Sequence, residues 1–574
     1  METHRDDVLD EVCGAGFLTR PRRLPADALS EPWAKTRAIQ AAIEGSVGVA
    51  GTDVGLRVGL GRRFPFELPH VFLAHPSAHP FLPHIDEHGW VCYQATEGLV
   101  LRTSAPVHIV EDALAMAVRT LDDGLAGRNW LDVYDELEAY WRQYGIDGLV
   151  RCYVEPDAAY RAIAVGFERR EFRYVADTVD DVVAFEGPTQ KLAAPRRGVY
   201  VPLTRSVLSE RIDPRSFADA AFTRAYVRRH VEAAMLARLD RCGLGDAPWP
   251  FVVLGVPRPT NGRSLVGLHY EHVQGGHPLG AGTTTHPVRL VPFDRRDPRN
   301  LRARGGAVTK FGNTRIAVIG CGSVGGHVAL AIAAAGVGNI TLVDPDKLKT
   351  ENVFRHVLGK SALGKYKVDG VKAELEQKFP YLNVRVLREH ADEAIEHRTL
   401  DPGKFDLAIV TIGDITTSRR LNRQLQQHGT ATVFTWLEPL GIGGHALLTH
   451  VTDGPGCYEC LFRDPDGEEV LSNAADFAAA GQTFARDLTG CASVHTPYGA
   501  LDAIRTAENA TRLAVGALLD TYADHPLRSW KGDPAEFLAR GFKLSPRFAL
   551  EESRLRETAT VFHNPRCPIC ALHA

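Results

Sequence analysis

The chain has 574 residues, 44% hydrophobic and 24% charged, with a formal net charge of -4 at pH 7. That length exceeds a single hydrophobic core and predicts roughly two to four domains, while the near-neutral charge argues against a general nucleic-acid or membrane-surface binder and leaves room for a local basic patch. No apolar run approaches the roughly 18 residues a bilayer span needs, and the polar start METHRDDVLDEVCG lacks a signal-peptide core, so the expected location is the cytoplasm.

The first region, 1–145, reads as one α+β unit. The spacing in EPWAKTRAIQAAIE predicts a helix over 31–44, followed by strands in VGVAGTDVGLRVGLG and FPFELPHVFLA. Two helical stretches come next. In the second, NWLDVYDELEAYWRQYG, residues Leu131, Tyr134, Leu137 and Trp141 fall on one face at amphipathic spacing. Between strands and helices lies PHIDEHGWVCYQ, residues 83–94, which sets His84 after a proline and Cys92 three residues past Gly89.

The middle region, 146–305, mixes strand-like GVYVPLT and PFVVLGV with a helical AFTRAYVRRHVEAAMLARLDRCG, and carries no chemical signature. It ends in FDRRDPRNLRARGG, whose charge, proline and glycine predict a linker.

The third region, 306–574, alternates strands with helices in the order of a doubly wound parallel sheet. It opens with a strand, the turn Gly320-Cys321-Gly322-Ser323-Val324-Gly325, a helix, and a second strand ending at Asp344. Gly320, Gly322 and Gly325 fit G-x-G-x-x-G, which brings a phosphate onto a helix N-terminus. The loop alone is neutral between a dinucleotide and ATP. The run DPDKLKTENVFRHVLGKSALGKYK then supplies Asp346, Asn352, Arg355 and Lys367, and AIVTIGD ends a later strand on Asp414. A dinucleotide needs few cations there. Cutting ATP between its α- and β-phosphates needs cations for the leaving pyrophosphate and a carboxylate for Mg²⁺, so the pattern favours ATP.

Ten cysteines in a reduced setting suggest metal or catalytic uses rather than a disulfide framework. Cys457, Cys460, Cys567 and Cys570 form two C-x-x-C pairs, the donor set of a structural Zn²⁺. Cys491 lies between those pairs, ahead of a long helix. Cys13, Cys152, Cys242 and Cys321 have no such context and read as packing residues.

These motifs carry a resemblance. GCGSVG, VDPD, the Asn352-to-Arg355 spacing, the GKYK ending at Lys367, TIGD and GPGCYECLF resemble the adenylating domain of ubiquitin-activating enzymes and bacterial sulfur-carrier activators. The resemblance implies that Asp344 contacts ribose, that Asn352, Arg355 and Lys367 contact phosphates, that Asp414 binds Mg²⁺, and that Cys491 takes an acyl group in a crossover loop. His356 stands where the family usually has glutamine. Residues 83–94 resemble the active-site stretch of ubiquitin-conjugating enzymes, with Cys92 as the thioester cysteine. The family's asparagine falls on His84, which would donate a hydrogen bond to the oxyanion or act as a base, and Leu82 replaces the family's histidine.

The two modules together resemble the activating–conjugating fusion enzymes of bacterial CBASS antiphage operons. The implied fold is multi-domain α/β, with a conjugating-like domain, a middle domain and a Rossmann-like adenylating domain with a zinc knuckle. The implied chemistry is ATP-dependent activation of a protein C-terminus, transfer to Cys491, then Cys92, then an amine. The implied partner is a protein with a flexible C-terminus, either a cyclic-nucleotide synthase or a ubiquitin-like protein, and the implied assembly is a homodimer. The rival expectation is a sulfur-carrier or ubiquitin-like activator whose first region only docks a partner.

Overall fold

The structure, a computed structural model, describes residues 2–168, 171–188, 192, 194–241, 251–271, 273–274, 276–281, 284–285, 288–450, 456–484, 486–487, 494–495 and 497–570. It divides into two compact units, residues 1–183 with 189–296, and residues 184–188 with 297–574.

In the first unit, helix α1 (Glu2–Gly14) precedes strands β1 (Thr19–Arg23), β2 (Ile39–Val49), β3 (Thr52–Gly61) and β4 (His70–Leu73). They form an antiparallel sheet in sequence order. The helix expected over 31–44 is corrected here: only Pro32–Lys35 is helical, and Ile39 onward is β2. Helix-forming residues fill that stretch, but Ile43 pairs with Val58 across the sheet and both are fully buried. Cross-strand packing overrides a weak helical preference.

The sheet packs on α2 (Pro106–Ala126), whose Val110, Ala113 and Ala117 are sealed from water and whose end is closed by Gly127 in the left-handed conformation. The last amphipathic stretch is two short helices, α3 (Asp132–Asp135) and α4 (Leu137–Tyr144), broken at Glu136. Tyr134, Leu137 and Trp141 are buried as the periodicity requires, whereas Leu131, outside the helix, is 46% exposed.

The middle segment builds an eight-stranded mixed sheet, β5 (Val150–Cys152), β6 (Arg161–Glu168), β7 (Glu171–Ala176), β8 (Pro195–Pro202), β9 (Phe251–Pro257), β10 (Arg263–Tyr270), β11 (Val288–Val291) and β12 (Phe293–Arg295), in the order 11-10-9-8-6-7-5-12. The apolar runs in GVYVPLT and PFVVLGV follow from burial, β9 being buried throughout and β8 from Gly198 onward. The expected middle helix is two helices, Ala220–Arg229 and Ala233–Arg241, separated at His230. The expected linker is also corrected. Phe293–Arg295 pairs with β5, and Pro298–Arg304 is a helix whose Asp297 cap accepts the Asn300 N–H at 3.0 Å. Charge and proline there mark a capped helix start rather than a flexible joint.

The second unit holds the doubly wound sheet. Strands β13 (Arg315–Ile319), β14 (Asn339–Val343), β15 (Asn383–Leu387), β16 (Leu407–Val410) and β17 (Thr432–Leu437) are parallel, and β18 (Gly443–Thr449) and β19 (Leu527–Lys531) extend one edge antiparallel. The order 15-14-13-16-17-18-19 reverses direction between β13 and β16. Ligands bind such sheets at that reversal, beyond the carboxyl ends of the strands. Helices α5 (Ser323–Ala334), α6 (Lys367–Lys378) and α8 (Ala500–Leu518) cover one face, and α7 (Ile415–Gln427) lies on the other. An alanine stripe on α8, Ala503, Ala507, Ala510, Ala514 and Ala517, lets it lie close to the sheet.

Among the described residues, no helix is long and apolar enough to cross a membrane.

Candidate functional site

The glycine loop leaves β13 at the reversal point and enters α5. Gly320 has φ +90°, a conformation that favours glycine. A Cβ on Gly325 would sit 1.9 Å from the Gly320 carbonyl oxygen, so this glycine is required for helix and strand to pack. A Cβ on Gly322 would meet nothing within 4 Å, and that side of the loop is open. Asp344 ends β14 and locks the loop, its Oδ2 accepting the Cys321 N–H at 2.7 Å and its Oδ1 the Asp346 N–H at 2.8 Å. Burial pushes the Asp344 carboxyl up, with Lys367 and the two N–H groups pulling it back. Lys367 opens α6 and places Nζ 2.7 Å from Asp346 and 4.0 Å from Asp344.

The Asn352–Arg355 segment is pinned beside the loop by His356. Its Nε2 donates to the Cys321 carbonyl at 2.7 Å, and its Nδ1 accepts the Leu358 N–H at 3.0 Å. Burial pulls its imidazole down to about 4, so it stays neutral. Asn352 turns inward, accepting the Lys349 N–H at 3.2 Å. The Arg355 guanidinium lies 4.7 Å from the Tyr498 ring centre, and its buried Nε has no hydrogen-bond partner. An unpaired buried cation donor is costly unless an anion arrives to meet it. Asp414 caps α7 by accepting the Thr417 N–H at 2.7 Å, which holds its carboxyl below the usual range. This exposed, ionised carboxylate sits at the end of β16, across the crevice from the glycine loop. The open side of the glycine loop, the unpaired Arg355 Nε and the ionised Asp414 carboxylate are the group types a nucleoside triphosphate and a divalent cation would engage.

The four knuckle cysteines converge from the middle of the second unit, Cys457 and Cys460, and from its C-terminal stretch, Cys567 and Cys570. Cys457 and Cys567 have sulfurs 3.8 Å apart, Cys460 and Cys570 3.4 Å, and all four lie within 4.8 Å of one another. A Zn–S bond of about 2.3 Å gives a tetrahedron with edges near 3.8 Å, so the donor set fits zinc. Asn422 of α7 donates to the Cys457 sulfur at 3.4 Å, the outer hydrogen bond such ligands favour. Cys491 lies outside the described residues, as does Cys242.

In the first unit, residues 83–92 form a braced loop. Asp86 Oδ1 accepts the N–H groups of His88 at 2.9 Å and Trp90 at 2.8 Å. Gly89 has φ +84°, and a Cβ there would strike the Leu73 carbonyl oxygen at 2.7 Å. Cys92 is exposed, and its N–H donates to the His84 carbonyl at 2.8 Å. His84 has φ +63°, a left-handed conformation that asparagine and histidine tolerate better than most. Its Nε2 lies 3.0 Å from Asp132 and its Nδ1 3.1 Å from Glu136. Tyr140 Oη accepts the His84 N–H at 2.9 Å and donates to Glu136 at 3.1 Å. The Glu136 hydrogen bond, against burial and with help from Asp132, raises the imidazole to about 9. Burial, then Glu136, push the Cys92 thiol up, while Arg37 draws it down. Sequence reasoning singled out His84 and Cys92 but not Asp132, Glu136, Tyr140, Tyr498 or the loop-pinning duty of His356. Asp132 and Glu136 are visible as acids four apart, but their partner lies 48 and 52 residues upstream. Of the packing cysteines, Cys152 and Cys321 are buried and Cys13 half-buried.

Residues 299–511 match the ThiF family, and residues 24–149 match prokaryotic E2 family B. The ATP-dependent ubiquitin transferase-like protein Cap2 of Pseudomonas aeruginosa is 24% identical over 83% of this chain and 87% of that protein. Cap2 of Escherichia coli is 27% identical over 47% of this chain and 43% of that protein. The mouse adenylyltransferase and sulfurtransferase MOCS3 is 30% identical over 48% of this chain and 54% of that protein. Among solved structures, E. coli MccB overlays with 16% identity, 46% coverage of this chain, 68% of that chain and a TM-score of 0.33. The chain is thus similar to a prokaryotic E2 family B domain over residues 24–149 and to the ThiF family over residues 299–511.

Proposed function

We propose that this protein uses ATP to activate the C-terminal carboxylate of a protein as an acyl-adenylate, then passes the acyl group to Cys491, to Cys92 and finally to an amine of the lysine type. The carrying observation is that one chain holds both an adenylation crevice and an exposed thiol on a braced E2-type loop. In the crevice, the N–H groups of the glycine loop and Arg355 would hold the phosphates, Lys367 would meet the leaving pyrophosphate, Asp344 the ribose, and Asp414 a Mg²⁺ ion. These charges favour cleavage between the α- and β-phosphates because they neutralise the pyrophosphate as it departs. The cysteine tetrad would hold a structural Zn²⁺, with no position left for a reactant.

The Cap2 relatives are described by name as ATP-dependent ubiquitin transferase-like proteins, which supports the same activity here. Together with the resemblance to CBASS enzymes, it supports a role in antiphage defence, and the proposal has the chain act in the cytoplasm as a homodimer on a cyclic-nucleotide synthase or a ubiquitin-like protein. The test incubates the chain with Mg-ATP and the protein encoded beside it, on a non-reducing gel, with Cys92→Ala and Cys491→Ala variants. A thiol-sensitive adduct that reaches Cys92 only when Cys491 is present supports the relay. The similarity to MOCS3 favours a second reading, a sulfur-carrier activator. That reading holds if the adduct forms at Cys491 and Cys92→Ala changes nothing downstream.

A further inference from the structure

The His84 imidazole has no free nitrogen. Nε2 faces Asp132 at 3.0 Å and Nδ1 faces Glu136 at 3.1 Å. A ring that donates from both nitrogens is a cation and has no lone pair with which to accept a proton. The two contacts, with the Tyr140 hydroxyl that joins the His84 N–H to Glu136, tie the Cys92 loop to the α3–α4 break. The remaining charges nearby are largely spoken for: Arg37 stacks 3.8 Å from the Trp90 ring centre and faces Asp86 at 3.4 Å. One histidine cation against two carboxylates leaves the cluster with a net negative charge. His84 is mostly enclosed, with 19% of its side chain exposed, whereas Asp132 and Glu136 show 50% and 38%. The negative side of the cluster therefore faces the solvent from which an acceptor comes.

We propose that His84 is a positioning residue, a charged bridge that fixes Asp132 and Glu136 beside Cys92 so that the acyl group goes to a cationic alkylamine in preference to hydroxide. This rests on the reading of Cys92 as an acyl carrier. The negative cluster attracts an ammonium group and repels hydroxide. The ammonium gives one proton to the Glu136 carboxylate, the amine nitrogen attacks the thioester carbonyl, the C–N bond forms, the C–S bond breaks, and the nitrogen, on becoming an amide, releases its second proton to bulk water. The departing Cys92 thiolate takes up the proton from Glu136. Burial is the main reason the Cys92 thiol is raised, and the Glu136 charge adds to it in the same direction.

The test needs no substrate protein. Cys92 in the full chain is exposed to cystamine, which carries ammonium groups, or to neutral bis(2-hydroxyethyl) disulfide, and the mixed disulfide on the Cys92 peptide is followed by mass spectrometry. Relative to N-acetylcysteine methyl ester, the wild-type protein is expected to prefer cystamine by about threefold to tenfold at low salt, the size of one nearby unit charge. The preference should collapse in high salt. Glu136→Gln should lower it by removing a negative charge, and His84→Gln should lower it too, because both carboxylates lose the bridge that holds them beside the sulfur; a rise in His84→Gln would overturn the positioning role. If His84 were instead a base, or merely a structural prop, its loss would change both rates together and leave the ratio untouched. An unchanged ratio in both variants, or a wild-type ratio equal to the free thiol's, overturns the proposal. Failure of the acyl relay itself appears only on the gel and leaves this ratio as it is.

Discussion

Gly322 and Gly325 belong to one motif, yet the structure separates their duties, and two single substitutions test that separation. A Cβ at position 325 would lie 1.9 Å from the Gly320 carbonyl oxygen and 2.5 Å from Thr411 Oγ1. Neither neighbour can yield cheaply. The carbonyl is backbone, and the Thr411 hydroxyl donates to that same carbonyl at 2.7 Å. Gly325→Ala must therefore push α5 off the sheet, at about 3 kcal/mol by analogy with overpacked cores. For a unit of this size, that lowers its melting temperature by about 6–10 °C. A Cβ at position 322 meets nothing within 4 Å, and the residue's φ of -76° suits alanine. Gly322→Ala should leave the melting temperature within about 1 °C, since exposed substitutions rarely exceed about 0.5 kcal/mol. The added methyl stands where a phosphate would approach, so ATP–pyrophosphate exchange should fall at least about tenfold, roughly 1.4 kcal/mol of lost binding. Thermal unfolding and pyrophosphate exchange, run on both variants, read the two effects apart. A destabilised Gly322→Ala with normal exchange would refute the assignment of the open side of the loop to the phosphates.

Three further predictions concern other parts of the molecule. Arg355→Ala should cut pyrophosphate exchange by about a hundredfold, as expected for loss of a transition-state cation, with little change in unfolding temperature, because its Nε has no protein partner to lose. Purified protein should carry one zinc per chain by elemental analysis, and Cys460→Ser or a strong chelator should lower both zinc content and the melting temperature, since breaking the tetrad releases the tail that ends in Cys567 and Cys570. His84 contributes with a defined sign: its folded value is raised from 6.5 to about 9, so its stabilisation is full below about pH 6.5 and disappears as pH climbs through 9. With partly exposed partners, the contribution is about 1–2 kcal/mol after solvent screening. Urea titrations at pH 6 and pH 10 should show His84→Gln destabilising the first unit at the lower pH and nearly equal to wild type at the higher.

The chemistry-bearing residues were legible wherever their meaning depends on near neighbours. The glycine loop, Asp344, Arg355, Lys367 and Asp414 follow one another in an order that singles them out in the chain, their individual roles coming from the family resemblance, and two C-x-x-C pairs present the donor set of a tetrahedral metal site. The strands and helices of the second unit were readable for the same reason, each being a short run of one clear period. The helix expected over 31–44 was not, because alanine, glutamine and glutamate favour a helix locally while Ile43 gains more by pairing with Val58 in a buried sheet. The segment after Phe293 misled in the other direction, its charges and proline marking the start of a capped helix.

What the sequence by itself determined is the inventory: a glycine loop, a cation series, four metal-type cysteines and a thiol on a glycine-bearing loop. Only the tertiary structure decided how those groups are charged and what they touch. His84 reads equally as a base or a donor from its place in the chain. It becomes a fixed cation because Asp132 and Glu136, 48 and 52 residues later, are folded against its two nitrogens. His356, of the same residue type, is held neutral because its surroundings are buried and its ring bridges two backbone groups. Protonation depends on solvation and on charges within a few ångströms, and those distances exist only once the chain has folded.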